Sequence, residues 1–176
     1  MGSELNKYIS ITVLALSLTM SCTSLLEGRR GDHYSSELTK IIDDFTETKR
    51  IKVNLAMHSL VQEKAMGFTK TYPKSGSPYY EMHSYIYYGT WMFVEEIKIK
   101  IDGVMHSFKS RYNYRDVIHG HYIEELNYYK VNRDFIKKFV ESNDVSIRLY
   151  GKDSYMELEL KDHHRKLVKR FLKVTE

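Results

Sequence analysis

Cysteine is almost missing from this 176-residue sequence: Cys22 is the only one. A single thiol excludes an intramolecular disulfide, so the fold must be stabilised by packing alone. It also excludes thiol catalysis anywhere beyond residue 22. Proline is nearly as scarce, and both prolines fall with a glycine in Thr71–Tyr80 (TYPKSGSPYY), which marks the clearest loop. No apolar run reaches the roughly 20 residues that a membrane-crossing helix needs. Missing too are the G-x-S-x-G elbow, an S-x-x-K arrangement with partners, the H-E-x-x-H metal motif, G-x-G-x-x-G and the P-loop. A non-catalytic protein without a cofactor is therefore expected.

The apolar run that does exist is short and N-terminal. Ile9–Met20 (ISITVLALSLTM) follows Lys7 and precedes Ser21-Cys22. A basic residue, a dozen mostly apolar residues and a small residue before the boundary form a secretory signal. The cysteine directly after it predicts a bacterial lipoprotein, with residues 1–21 removed and Cys22 acylated as the new N-terminus. Thr19-Met20-Ser21-Cys22 is a loose lipobox: Ser21 matches, whereas Thr19 stands where an aliphatic residue is usual. Met1-Gly2 opens like a myristoylation signal, but Asn6 occupies the position that needs Ser or Thr. The alternatives are an uncleaved N-terminal anchor or an ordinary signal with an incidental cysteine.

Residues 22–34 are short, polar and glycine-containing, as a tether would be. They include Arg30-Gly31-Asp32, an integrin-type tripeptide that chance also produces. Residues 35–176 suffice for one domain with a sizeable core. The net charge of +4 is unchanged by loss of residues 1–21, which carry one Lys and one Glu. It is too small to argue for nucleic acid by itself. Tyrosine is abundant at 15 residues. It suits strands and, secondarily, binding patches.

Periodicity predicts the elements. Leu38, Ile41, Ile42 and Phe45 fit the i, i+3, i+4, i+7 stripe of a helix opening at Ser35 or Ser36. Ile51, Val53, Leu55 and Met57 alternate as a half-buried strand. Within Met82–Ile101, Gly89-Thr90 predicts an interruption, since a strand of 20 residues would be unusually long. Asp102-Gly103 predicts a type I′ hairpin joining Glu96–Ile101 to Val104–Ser110. Val117–Tyr122 fits either a short strand or irregular structure. Asn132 should cap a helix whose apolar face is Phe135, Ile136, Phe139 and Val140. Val145–Tyr150 and Tyr155–Leu160 form a second hairpin, and Asp162 caps a last helix carrying Leu167, Val168, Phe171 and Leu172. The fold class is α+β: an antiparallel β-sheet with N-terminal, middle and C-terminal helices.

With its loose lipobox, short helix, IRLYGKD hairpin and basic final helix, the chain resembles uncharacterised surface lipoproteins of spirochaetes. That resemblance implies an outer-membrane or cell-surface location and a host-facing role. It carries over no catalytic or binding residue.

Two constellations bear on chemistry. His119-Gly120-His121 would place two imidazoles on one face of a strand, with Glu124 or Glu125 to complete a metal site; the alternative is an exposed turn. His163 and His164 diverge by about 100° on a helix and do not share a metal. Lys161, Arg165, Lys166, Lys169, Arg170 and Lys173 crowd the last helix. Of these, Arg165, Lys166, Lys169, Arg170 and Lys173 are the candidate polyanion site, for sulfated glycan, nucleic acid or anionic headgroups. A merely solvated face that complements the helix dipole is the alternative. The Tyr79-Tyr80 loop region is a second candidate surface. The expected function is thus a lipid-anchored extracytoplasmic binding protein whose partner is a host or envelope macromolecule. A periplasm-facing structural lipoprotein and a metal-dependent hydrolase using His119 and His121 are the alternatives.

Overall fold

Strand pairing claims much more of this chain than its periodicity suggests. A computed structural model describes residues 35–57, 63–118, 120 and 122–176. The strands are β1 (Glu37–Asp43), β2 (Thr48–Ala56), β3 (Glu63–Tyr72), β4 (Tyr79–Tyr88), β5 (Glu96–Ile101), β6 (Val104–Lys109), β7 (Tyr112–Ile118), β8 (Tyr122–Val131), β9 (Val145–Tyr150) and β10 (Tyr155–Leu158). Helix α1 (Arg133–Glu141) lies between β8 and β9, and α2 (Asp162–Val174) follows β10. A six-stranded sheet has the order β1-β2-β3-β4-β8-β7, and a four-stranded sheet the order β10-β9-β5-β6. Every strand pairing is antiparallel. The fold is a β-rich α+β arrangement with two helices among the described residues.

The core is built row by row. Val53, Phe68, Met82 and Tyr129 are register partners across β2, β3, β4 and β8, and all four are fully buried. Because successive side chains alternate between faces, this row fixes which face of the large sheet is inward. Ile97, Ile99, Ile147 and Leu149 supply the matching buried surface of the small sheet. Helix α1 fills the space between the sheets. Its Phe139 meets Phe68 edge-on at 5.3 Å, and its Phe135 meets Phe108 of β6 at 4.7 Å. As the sequence predicts, Asn132 caps α1, accepting from Phe135 N at 2.8 Å, and Phe135, Ile136, Phe139 and Val140 are its buried residues. Asp102 and Gly103 both have positive φ, as the type I′ turn requires.

The expected N-terminal helix is instead β1. Ile42 and Phe45 of its supposed apolar stripe are exposed, so that stripe has nothing to pack against. Thr39, Ile41 and Ile42 are β-branched and fit the pleat. The β1–β2 turn is closed by the Asp43 carboxylate, which accepts from Phe45 N (3.1 Å), Thr46 N (3.3 Å) and Thr46 Oγ1 (2.6 Å). These bonds hold the Asp43 carboxyl below its ordinary pKa. Three smaller corrections follow. β3 occupies a stretch with no assigned element, Val117–Tyr122 spans the end of β7 and the start of β8, and Lys161, not Asp162, is the cap of α2.

The crossing from the large sheet to the small one depends on one carboxylate. Glu125 of β8 is 1% exposed, and it accepts from three successive backbone amides: Met92 N (2.6 Å), Phe93 N (2.9 Å) and Val94 N (2.9 Å). Arg115 of β7 reaches the same carboxylate at 3.4 Å and donates to Val94 O at 3.3 Å. Phe93 holds φ 54° within this arch. Gly151 passes beneath it, where a Cβ would lie 1.9 Å from Met92 O. Replacing Glu125 with Ala strands buried donors, and the loss of stability in urea unfolding should be about 3 kcal/mol. Glu125→Gln, which keeps an acceptor oxygen, should lose about half of that. A loss below about 1 kcal/mol for Glu125→Ala would show that water replaces the carboxylate.

Candidate functional site

The inward row leaves the opposite face of the large sheet to Arg50 and Lys52 on β2, Thr69 and Thr71 on β3, Tyr79 and Glu81 on β4, and Tyr128 and Lys130 on β8. Tyr112 of β7 and Arg111 just before it close the side, and Ile41 of β1 closes the other. Together they line an open groove of about 750 Å³. Thr69 and Thr71 are buried in its floor, whereas Arg50, Arg111, Tyr112 and Lys130 stand exposed on its rim. The floor continues to Gly67. There the His83 ring crosses from β4 to meet Asn54 of β2 (Nε2–Oδ1 2.9 Å), and a Cβ on Gly67 would lie 2.7 Å from that ring. Absence of a side chain is what lets this bridge form.

Four cationic side chains surround one carboxylate in the groove. Burial raises the Glu81 pKa, and the Arg111 and Arg50 charges pull it back down. Burial also raises the Tyr128 hydroxyl, with the Glu81 charge adding to it, so the phenol stays a donor at neutral pH. The result is a concave, cationic, tyrosine-walled surface with threonine hydroxyls in its floor. It can hold an anion by charge and a ring by stacking.

The other end of the same face is acidic. Asp116 of β7 and Glu124 of β8 are direct register partners. Burial raises the Glu124 pKa, a Tyr85 hydrogen bond lowers it, and Asp116 raises it further. Glu124 and Glu125 point to opposite faces, and Glu125 is fully engaged by the 92–94 arch. His119 and His121 lie outside the described residues. So do Cys22 and Arg30-Gly31-Asp32. Among the described residues no group of three or more His, Cys, Asp or Glu is placed to hold a metal ion.

The basic helix divides in two. Lys166, Lys169, Arg170 and Lys173 are exposed, whereas Arg165 is half-buried. Its guanidinium donates to Ser142 O and, at 3.4 Å, to Asn143 O, tying α2 to the end of α1. His164 leaves the basic surface altogether. It is fully buried, its Nε2 donating to Ala56 O (3.0 Å) and its Nδ1 accepting from Lys161 N (3.1 Å). Tyr79 and Tyr80 also part company: Tyr79 lines the groove, and Tyr80 packs on Phe171 and donates to Thr175 O at 3.3 Å.

The groove residues Arg50, Lys52, Glu81, Arg111, Tyr112, Tyr128 and Lys130 were not singled out by sequence. The one local signal is on β2, where Arg50 and Lys52 alternate with the apolar Ile51 and Val53. Comparison with protein-family models, with curated proteins and with solved structures finds no match for this chain.

The His164 geometry has a pH consequence. Burial, aided by the neighbouring His163 charge, pushes its pKa down to about 4 from an ordinary 6.5. The folded state therefore favours the neutral ring. Its contribution is complete above pH 6.5 and is lost as pH falls towards 4. Urea midpoints measured across that range should show a loss of about 2 kcal/mol that His164→Gln largely removes. An identical pH profile in the variant would assign the acid sensitivity elsewhere.

Proposed function

We propose that this chain is a lipid-anchored extracytoplasmic binding protein, held at the membrane through Cys22, whose ligand site is the groove on the large sheet. The observation that carries this reading is the groove itself. Arg50, Lys52, Arg111 and Lys130 converge on a concavity walled by Tyr79, Tyr112 and Tyr128, with one opposing acid. Cations placed on or next to strands, beside aromatic faces, suit a ligand that combines negative charge with flat or ring-shaped bodies, such as a sulfated or carboxylated glycan of a host or envelope macromolecule. The arrangement binds and does not transform. The sequence around Cys22 supports the anchor and the surface location.

A sulfated tetrasaccharide is a suitable probe, titrated by calorimetry against the neutral oligosaccharide of equal length. Arg50→Ala combined with Arg111→Ala should weaken binding by about tenfold or more, because charge-assisted contacts are the strong ones. Glu81→Gln removes the one negative charge and should tighten binding a few-fold, with less gain on acidification than the unaltered protein shows. Exposed cations of α2 replaced by Gln should leave this affinity unchanged. Unchanged affinity in the double variant would remove the groove as the site. Mass spectrometry of the mature N-terminus in cells, with protease access to intact cells, tests the anchor and the location separately.

A further inference from the structure

The second charged surface has a different geometry and points to a different partner. At 100° per residue, Lys166, Lys169, Arg170 and Lys173 fall on one stripe of α2, diametrically opposite the buried His164, Val168, Phe171 and Leu172. Among the described residues none of these four forms an ion pair. The nearby acids are committed elsewhere, Glu176 to Arg133 at 2.7 Å and Glu159 to Lys161 at 4.0 Å. Asp162, in the first turn, is the only acid on that side of the helix. Because the buried stripe of α2 packs on the inward face of the large sheet, through Phe171 on Tyr80 and His164 on Ala56, the cationic stripe points away from that sheet. The groove opens on the sheet's other face, so groove and stripe look in opposite directions.

The start of the domain lies beside this helix. Ser36 Oγ accepts from Ala56 N at 2.9 Å, and Ala56 O accepts from His164 at 3.0 Å. The chain therefore leaves the domain next to the first turn of α2. Twelve residues lie between Cys22 and Ser35, a reach of at most about 45 Å.

We propose that α2 is a membrane-contact surface: its Lys166, Lys169, Arg170 and Lys173 stripe rests on anionic lipid headgroups and turns the groove away from the bilayer. The proposal rests on the Cys22 anchor for its setting. An acyl chain joined to the domain beside α2 makes the helix–headgroup encounter intramolecular, so weak attraction suffices to set orientation. Each cation near an anionic surface adds on the order of fivefold to the partition, and the attraction falls within a Debye length. A sulfated polymer would meet the same cations, but entry of the chain into the domain at Ser36, beside α2, favours the lipid surface.

Two arms test it. In the first, the full chain carrying Cys22→Ser, and so without lipid, is sedimented with phosphatidylcholine vesicles and with vesicles that also contain phosphatidylglycerol. Binding should occur only with the anionic vesicles, vanish at about 0.5 M salt, and fall by about tenfold or more when the four cations are replaced by Gln or by Glu. In the second, the lipidated protein is reconstituted in both vesicle types and its lysines are acetylated. Lys166, Lys169 and Lys173 should react about fivefold more slowly on the anionic vesicles, while Lys52 and Lys130 of the groove react equally on both. Equal vesicle binding by the Gln variant, protection of the groove lysines instead, or capture of heparin without vesicle binding would each overturn the proposal. Absence of acyl groups on Cys22 in cells would remove the anchor reading alone, leaving the first arm to decide the stripe.

Discussion

A buried carboxylate that satisfies three consecutive amides holds the two sheets in register. Strand β4 ends at Tyr88, and the chain must then leave the large sheet, bend through residues 89–95 and begin the small sheet at Glu96. Irregular backbone at such a crossing exposes donors that no ladder satisfies, and burying them unpaired would be costly. Glu125 meets that need from a neighbouring strand, so the arch is shaped by β8 instead of by its own sequence. Arg115 balances the buried charge, and Gly151 lets the β9–β10 turn close beneath. The packing of Phe68 and Phe108 around α1 presupposes the sheet-to-sheet geometry that this carboxylate sets.

Local signals made about half of the architecture legible. The Ile51–Met57 alternation, the Asp102-Gly103 turn, the Asn132 cap and the apolar face of α1 are each written in a few adjacent residues, and each appears in the structure. At β1, seven residues with adjacent isoleucines satisfy both a helical and a strand period, and only pairing with β2 decides between them. β3 gave no period at all. Met66 and Phe68 are buried on the core face while Ala65, Thr69 and Thr71 are buried on the groove face, so no polar-apolar contrast marks either side. In β8 tyrosines occupy both parities, with the same blurring effect.

The groove was illegible for a related reason. Its cations lie on β2 and β8 and just before β7, in three segments far apart along the chain, and they converge only because β4 pairs with β8 and not with β5. No spacing rule reports that crossover. The helix stripe, by contrast, is local, and four of its five expected residues do share an exposed face. Arg165 departs because carbonyls at the end of α1 lie within its reach, a tertiary fact. Opposed placement of groove and stripe gives the domain a polarity that neither surface would impose by itself.

The strict alternation of β2, β3, β4 and β8 also has a consequence for how this protein can change over generations. Residues that line the groove and residues that hold the core share strands but not a face, so rim positions such as Arg50, Tyr112 and Lys130 can drift with little effect on folding. The floor is different. At Gly67 any side chain would strike Val53 O and the His83 ring, so that point tolerates no experiment. Selection therefore has a free perimeter around a fixed centre, and divergence in binding preference should be sought at the perimeter.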